Sequence, residues 1–133
     1  MVTFVAKIEP KADPVMAFTM CLLNSVTTAH ILHLASRSYS QHMALGAYYE
    51  GIGDLVDSFV EAFQGKYGLL TNYPATADLF AALDPVAYLT YLKDEVATLR
   101  NAKGFPEDTE LQNITDEIAG LIDSTLYKLR FLA

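Results

Sequence analysis

The residues with the most chemistry in this chain are three histidines, His30, His33 and His42, and a run of carboxylates, Glu50, Asp54, Asp57 and Glu61. The acids are spaced by four, three and four positions, so on a helix they share one stripe. No Lys or Arg stands between them. Like charges at that spacing repel each other, and a bound cation relieves the repulsion. Imidazole mixed with carboxylate is a ligand set that suits iron, zinc or manganese. The stripe equally fits the solvated outer face of a bundle helix, and both readings stand at this point. His33 falls on the apolar side of its segment, where a histidine is also expected as a core residue with its hydrogen bonds satisfied.

Helical elements must position these groups, and the signals for them come in a regular order. Asp13-Pro14 reads as an N-cap followed by proline at the first helical position, where a missing N–H costs nothing. It opens a first helix to about Arg37. Ser36, Ser38 and Ser40 mark a short break. A second helix runs from about Ser40 to Gln64 and stops at Gly65, with Leu45, Tyr48, Ile52, Leu55, Val56, Phe59 and Phe63 on its apolar side. Lys66 to Leu83 reads as a long connection that carries a short helix, capped by Thr76 and covering Ala77 to Phe80. Asp84-Pro85 opens a third helix to about Ala102, and Gly104-Phe105-Pro106 ends it. The fourth spans about Glu107 to Leu132, with Leu111, Ile114, Ile118, Leu121 or Ile122, Leu126 and Leu129 on one stripe. Strand-like alternation is confined to residues 2–6. Two short connections and a long middle one predict an all-α, antiparallel four-helix bundle of ferritin-like topology, with a crossover between helices two and three, as a single domain over 1–133.

Composition bounds the function. The chain has 133 residues, 52% of them hydrophobic, and 16 acids against 9 bases give a net charge of −7. That length and content suffice for one buried core. The acidic balance removes the electrostatic attraction that drives DNA binding, so none is expected. A single cysteine, Cys21, allows no internal disulfide and reads as a small core residue. Thr19 interrupts the apolar stretch from Met16 to Leu23, which predicts no membrane helix. With no export signal read at the start, the expected location is cytoplasmic. Tyr73, Tyr88 and Tyr91 add aromatic surface that fits either an interface or the core.

His30, His42, Asp57 and Glu61 stand 12, 15 and 4 apart, and this spacing resembles the ferroxidase signature of the Dps family, the mini-ferritins. The match runs without a gap from His30 to His42 and on to Asp57-Ser-Phe-Val-Glu61. Ser38 to Gly46 and Asp54 to Phe59 more narrowly resemble small ferritin-like proteins encoded by bacteriophages, which would place the chain in host cytoplasm or a virion. Three positions depart from the Dps pattern: Ile31 stands where Trp is usual, Ala62 where Arg is usual, and the Gly-Pro of the first junction is absent around Arg37. The resemblance implies Fe(II) binding and oxidation for iron storage or detoxification, with zinc or manganese as other metals. The ligands it implies are His30 and His42 from one subunit and Asp57 and Glu61 from another, with Asp54 and His33 behind them. The partner it implies is a second copy, in a homo-oligomer built through helices one and two. The other reading of the same residues is a non-enzymatic ferritin-like assembly, virion component or host-protein binder whose metal motif is vestigial or structural.

Overall fold

A computed structural model describes residues 13–80 and 84–133. Its four helices are α1 (Pro14–Ala35), α2 (Tyr39–Tyr67), α3 (Pro85–Arg100) and α4 (Thr109–Phe131), and no strand occurs among the described residues. The alternation at residues 2–6 lies outside them. Both Asp-Pro starts are realised. Asp13 Oδ1 accepts the N–H groups of Val15 and Met16 at 3.0 and 3.1 Å, and Asp84 Oδ2 accepts that of Ala87 at 3.2 Å. These bonds satisfy donors that the first helical turn leaves without partners.

Three boundaries differ from expectation. The first helix ends at Ala35 rather than near Arg37, because Ser36 hydroxyl donates to the Ser38 carbonyl and the Gln41 side chain across the junction. α2 passes through Gly65 and stops at Gly68, whose φ of 95° is the conformation that glycine adopts without steric cost. Ala77 to Phe80 form no helix. Phe80 instead gives its N–H to Thr28 Oγ1 on α1 at 3.3 Å, and its ring packs against Tyr88 and Tyr91. Positions 81–83, the end of the expected connection, lie outside the described residues.

The helices form a ring in which α1 packs on α2 and α3, and α4 packs on α2 and α3. Lys66 at the end of α2 meets Asp108 just before α4, and Arg130 at the end of α4 meets Thr90 early in α3, so these neighbours run in opposite directions. The core contains Phe18 and Leu22 of α1, Tyr48, Ile52 and Phe59 of α2, Leu89 and Leu92 of α3, and Leu111, Ile118 and Ile122 of α4. Phe18 rests on Phe59 and Phe105 at 4.8 and 5.1 Å between ring centroids, closing one end. Tyr48 is fully buried but keeps a partner: its phenol and the Ser25 hydroxyl are 2.8 Å apart, and Ser25 also donates to the Leu22 carbonyl.

By length and composition α1 is apolar enough to cross a membrane, a test that the core helix of a bundle passes as well. It has no Asp, Glu, Lys or Arg between Pro14 and Ala35. One side of it walls the core through Val15, Phe18, Leu22, Ala29 and Leu32. The opposite side carries Leu23, Thr27, His30 and Leu34, all exposed, with Leu34 at 69%.

Candidate metal centre

The end of α1 and the start of α2 bring the three histidines together. His33 Nδ1–H donates to the His42 carbonyl at 2.6 Å, and His42 Nδ1–H donates to the His33 carbonyl at 2.9 Å. A carbonyl oxygen has no proton to give, so both rings carry hydrogen on Nδ1. Each Nε2 is therefore the nitrogen left for another partner. The two rings stack at 3.6 Å between centroids, 20° from parallel. Gly46 makes room for this: a Cβ there would stand 3.1 Å from His33 Cε1. Gly46 is thus explained within the chain, by a side chain rather than by the approach of another backbone.

His30 is exposed and lies on Tyr49, with centroids 4.3 Å apart and rings 17° from parallel. Tyr49 also meets His33 edge-on at 5.4 Å. Sequence reasoning missed Tyr49, and it missed the His33–His42 exchange, because both contacts cross between helices. Tyr49 does stand on the α1 side of α2 when the helix is drawn at 100° per residue, and that placement was the available signal.

The carboxylates take the positions that their spacing requires. Glu50, Asp54, Asp57 and Glu61 are all exposed on the outer face of α2, and none forms an ion pair among the described residues. Gly53 lies along the edge of this stripe, and a Cβ added there would meet nothing within 4 Å. A single chain does not join the two halves of the expected ligand set. His42 and Glu61 are 19 positions apart on one continuous helix, about 28 Å at 1.5 Å per residue. Correspondingly, no group of three or more His, Cys, Asp or Glu side chains able to hold a metal occurs among the described residues. His33, expected behind the ligands, is bonded directly to the backbone of His42. Asp54 has no contact with either histidine pair among the hydrogen bonds of the described residues.

Residues 33–129 match a family of unknown function, DUF5856. The chain belongs to this family. The DUF5856 span takes in His33, His42, Tyr49 and the whole carboxylate stripe, and it leaves out His30 with most of α1. No curated protein and no solved structure matches the chain.

Proposed function

We propose that this DUF5856 chain is a ferritin-like bundle that self-associates through α1 and α2 and binds Fe(II) between copies, as a Dps-like mini-ferritin with ferroxidase activity. Three observations support the ferritin-like topology. Neighbours in the ring are antiparallel, the end of α2 lies beside the start of α1 at Phe59 and Phe18, and Phe80 is tied to Thr28 far along α1. Those anchors support a crossover between α2 and α3 that passes beside α1 at Thr28.

The metal reading rests on one observation: carboxylates without ion pairs among the described residues lie on the same α2 that holds an imidazole with its Nδ1–H fixed on a carbonyl. That arrangement sets the tautomer and orients a ring whose other nitrogen is the ligand. His30 and His42 of one copy, with Asp57 and Glu61 of another, make a mixed nitrogen and oxygen set for iron. An antiparallel pairing of two α2 helices about a two-fold axis at the level of Glu50 and Gly51, one turn or less from Gly53, brings the His42 end of one to the Asp57 and Glu61 end of the other, and gives two equivalent sites. The open space at Gly53 suits that approach. Fe(II) is the substrate, losing an electron to dioxygen or peroxide, and the remaining acids offer the Fe(III) product an anionic surface.

The uncharged outer face of α1 favours a second reading, a purely structural assembly in which the same interface forms without metal. One experiment separates the two. Purified protein is titrated with Fe(II) or Zn(II) by calorimetry while its mass is followed by light scattering, and Fe(II) oxidation is timed with each oxidant. The ferroxidase reading expects an oligomer, at least about one metal per chain and faster oxidation, with affinity falling on acidification as ligands take up protons. An oligomer that binds no metal and does not speed oxidation would leave the structural assembly. A monomer that binds no metal defeats both.

A further inference from the structure

On its other flank, α1 meets α3 and the α2–α3 connection around a cleft of about 230 Å³. We propose that this cleft binds a small organic cation, an aliphatic primary amine or diamine, with Asp78 and Glu95 meeting the ammonium groups and the rings of Phe80 and Tyr91 covering the carbon stem.

The walls carry the argument. Asp78 comes from the connection and Glu95 from α3, and neither forms an ion pair among the described residues. No Lys or Arg among the described residues lines the cleft, so its two carboxylates face a space without a positive charge from them. Phe80 and Tyr91 add aromatic faces, their centroids 5.1 Å apart and their planes 45° from each other. A cation over such faces is attracted by the ring quadrupole, and more strongly as water is excluded. The Asn24 side chain offers a further oxygen. Two groups beside the cleft are shifted first by burial and only then by nearby charge. Burial, then the Glu95 charge, pushes the Cys21 thiol up to about 12, and Tyr91 is raised by burial, then by Cys21, Glu95 and Asp78. Both therefore stay protonated at neutral pH.

Other ligand classes fit less well. An anion would meet two like charges. A neutral apolar molecule would strip water from the carboxylates without replacing its hydrogen bonds. A calcium ion would need waters or backbone carbonyls beside the side chains of Asp78, Glu95 and Asn24 to complete its six to eight oxygens, and would leave the faces of Phe80 and Tyr91 unused. The volume lies below the roughly 300 Å³ at which sites for drug-sized ligands begin, so the ligand is small. The cleft also has a fixed wall, because the Phe80 N–H is held by Thr28 and its ring lies 5.9 Å from that of the buried Tyr88.

Calorimetric titration of the whole chain with putrescine tests the proposal, beside 1,4-butanediol, which has the same length and no charge. Saturable binding of putrescine is expected, with no binding of butanediol. Glu95→Gln and Asp78→Asn should each weaken it by about tenfold, the loss of one charge-assisted contact. Tyr91→Leu should weaken it as well. Glu117→Gln, exposed on α4, should leave it unchanged. Circular dichroism checks that each variant is folded. No saturable heat with putrescine at millimolar concentration overturns the proposal, and so does equal binding of butanediol or indifference to both carboxylate changes. Calcium binding with displacement of putrescine would also overturn it, in favour of an inorganic cation.

Discussion

The α1–α2 half of the bundle and the α3–α4 half differ in where charge is matched, although Asp94, Glu95 and Glu117 of the second half also form no ion pair among the described residues. Between α3 and α4, Arg100 contacts Asp116 at 2.7 Å and the Gln112 side chain at 2.6 Å, and Lys93 faces Asp123 at 3.4 Å. Lys66 adds Asp108 and Glu110 at 2.6 and 3.2 Å, tying the end of α2 to the start of α4. These acids already have cations. On the other half, α1 has no Asp, Glu, Lys or Arg, and four acids of α2 point outward without cation partners among the described residues. There the polar joins are made by hydroxyls and imidazoles, namely Ser25 with Tyr48 and His33 with His42. Charge that is matched inside the chain serves register and stability. Charge left unmatched on α2 is available to something outside the chain.

The largest expected effect tests that contrast directly. Joint replacement of Asp57 by Asn and Glu61 by Gln should lower Zn(II) or Fe(II) affinity by at least about 100-fold, more than the tenfold to hundredfold known for groups behind the ligands. The thermal midpoint without metal should stay where it was. The pair Asp116→Asn and Asp123→Asn should leave affinity alone. Equal losses from the two pairs, measured by calorimetry, would erase the distinction between the halves.

Glycines sharpen it next. Gly46→Ala should destabilise by roughly 1–3 kcal/mol, as overpacking does, because the His33 ring stands 3.1 Å from the new carbon and is held by its bond to the His42 carbonyl. Gly53→Ala should have the opposite sign in a dilute monomer, a gain of up to about 1 kcal/mol from helix propensity, while weakening self-association. Urea unfolding and light scattering read the two effects separately. A third expectation concerns acid. The Lys66 ammonium, followed by the Tyr67 hydroxyl, holds the Asp108 carboxyl below its ordinary value. Its folded pKa is depressed, so its stabilisation is complete above the unfolded value, about 3.9, and is lost as pH falls through the folded one. Lys66→Met should flatten the stability profile between neutral pH and pH 3 in denaturant titrations. Smallest of all, Asp123→Asn alone should cost at most about 1 kcal/mol, since that pair is more than half exposed.

Local order is legible in the order of the residues. The Asp13 and Asp84 caps, the stripes of α2 and α4, and the outward stripe from Glu50 to Glu61 all follow from contacts between residues two to four positions apart. Such contacts depend on the peptide geometry of one helix, so spacing alone encodes them. The stopping point of α2 is not legible in the same way. Gly65 and Gly68 have the same side chain, and only the path of the chain beyond the helix decides which takes positive φ. Ala77 to Phe80 carry helix-like signals, yet the Phe80 N–H bonds to Thr28, 52 positions away, instead of to its own turn.

Sequence by itself determined that four helices form, where two of them begin, and which carboxylates share an outer face. Only the tertiary structure decided that His33 and His42 lock each other, that Tyr49 lies beneath His30, that Gly46 is filled while Gly53 stays open, and that Asp78 and Glu95 face one cleft. The physical reason is range. Helix propensity, capping and periodicity are free energies of neighbouring residues, whereas a ring stack or a cleft wall depends on how separate helices are rotated and aligned against each other, which is settled by the packing of the whole core.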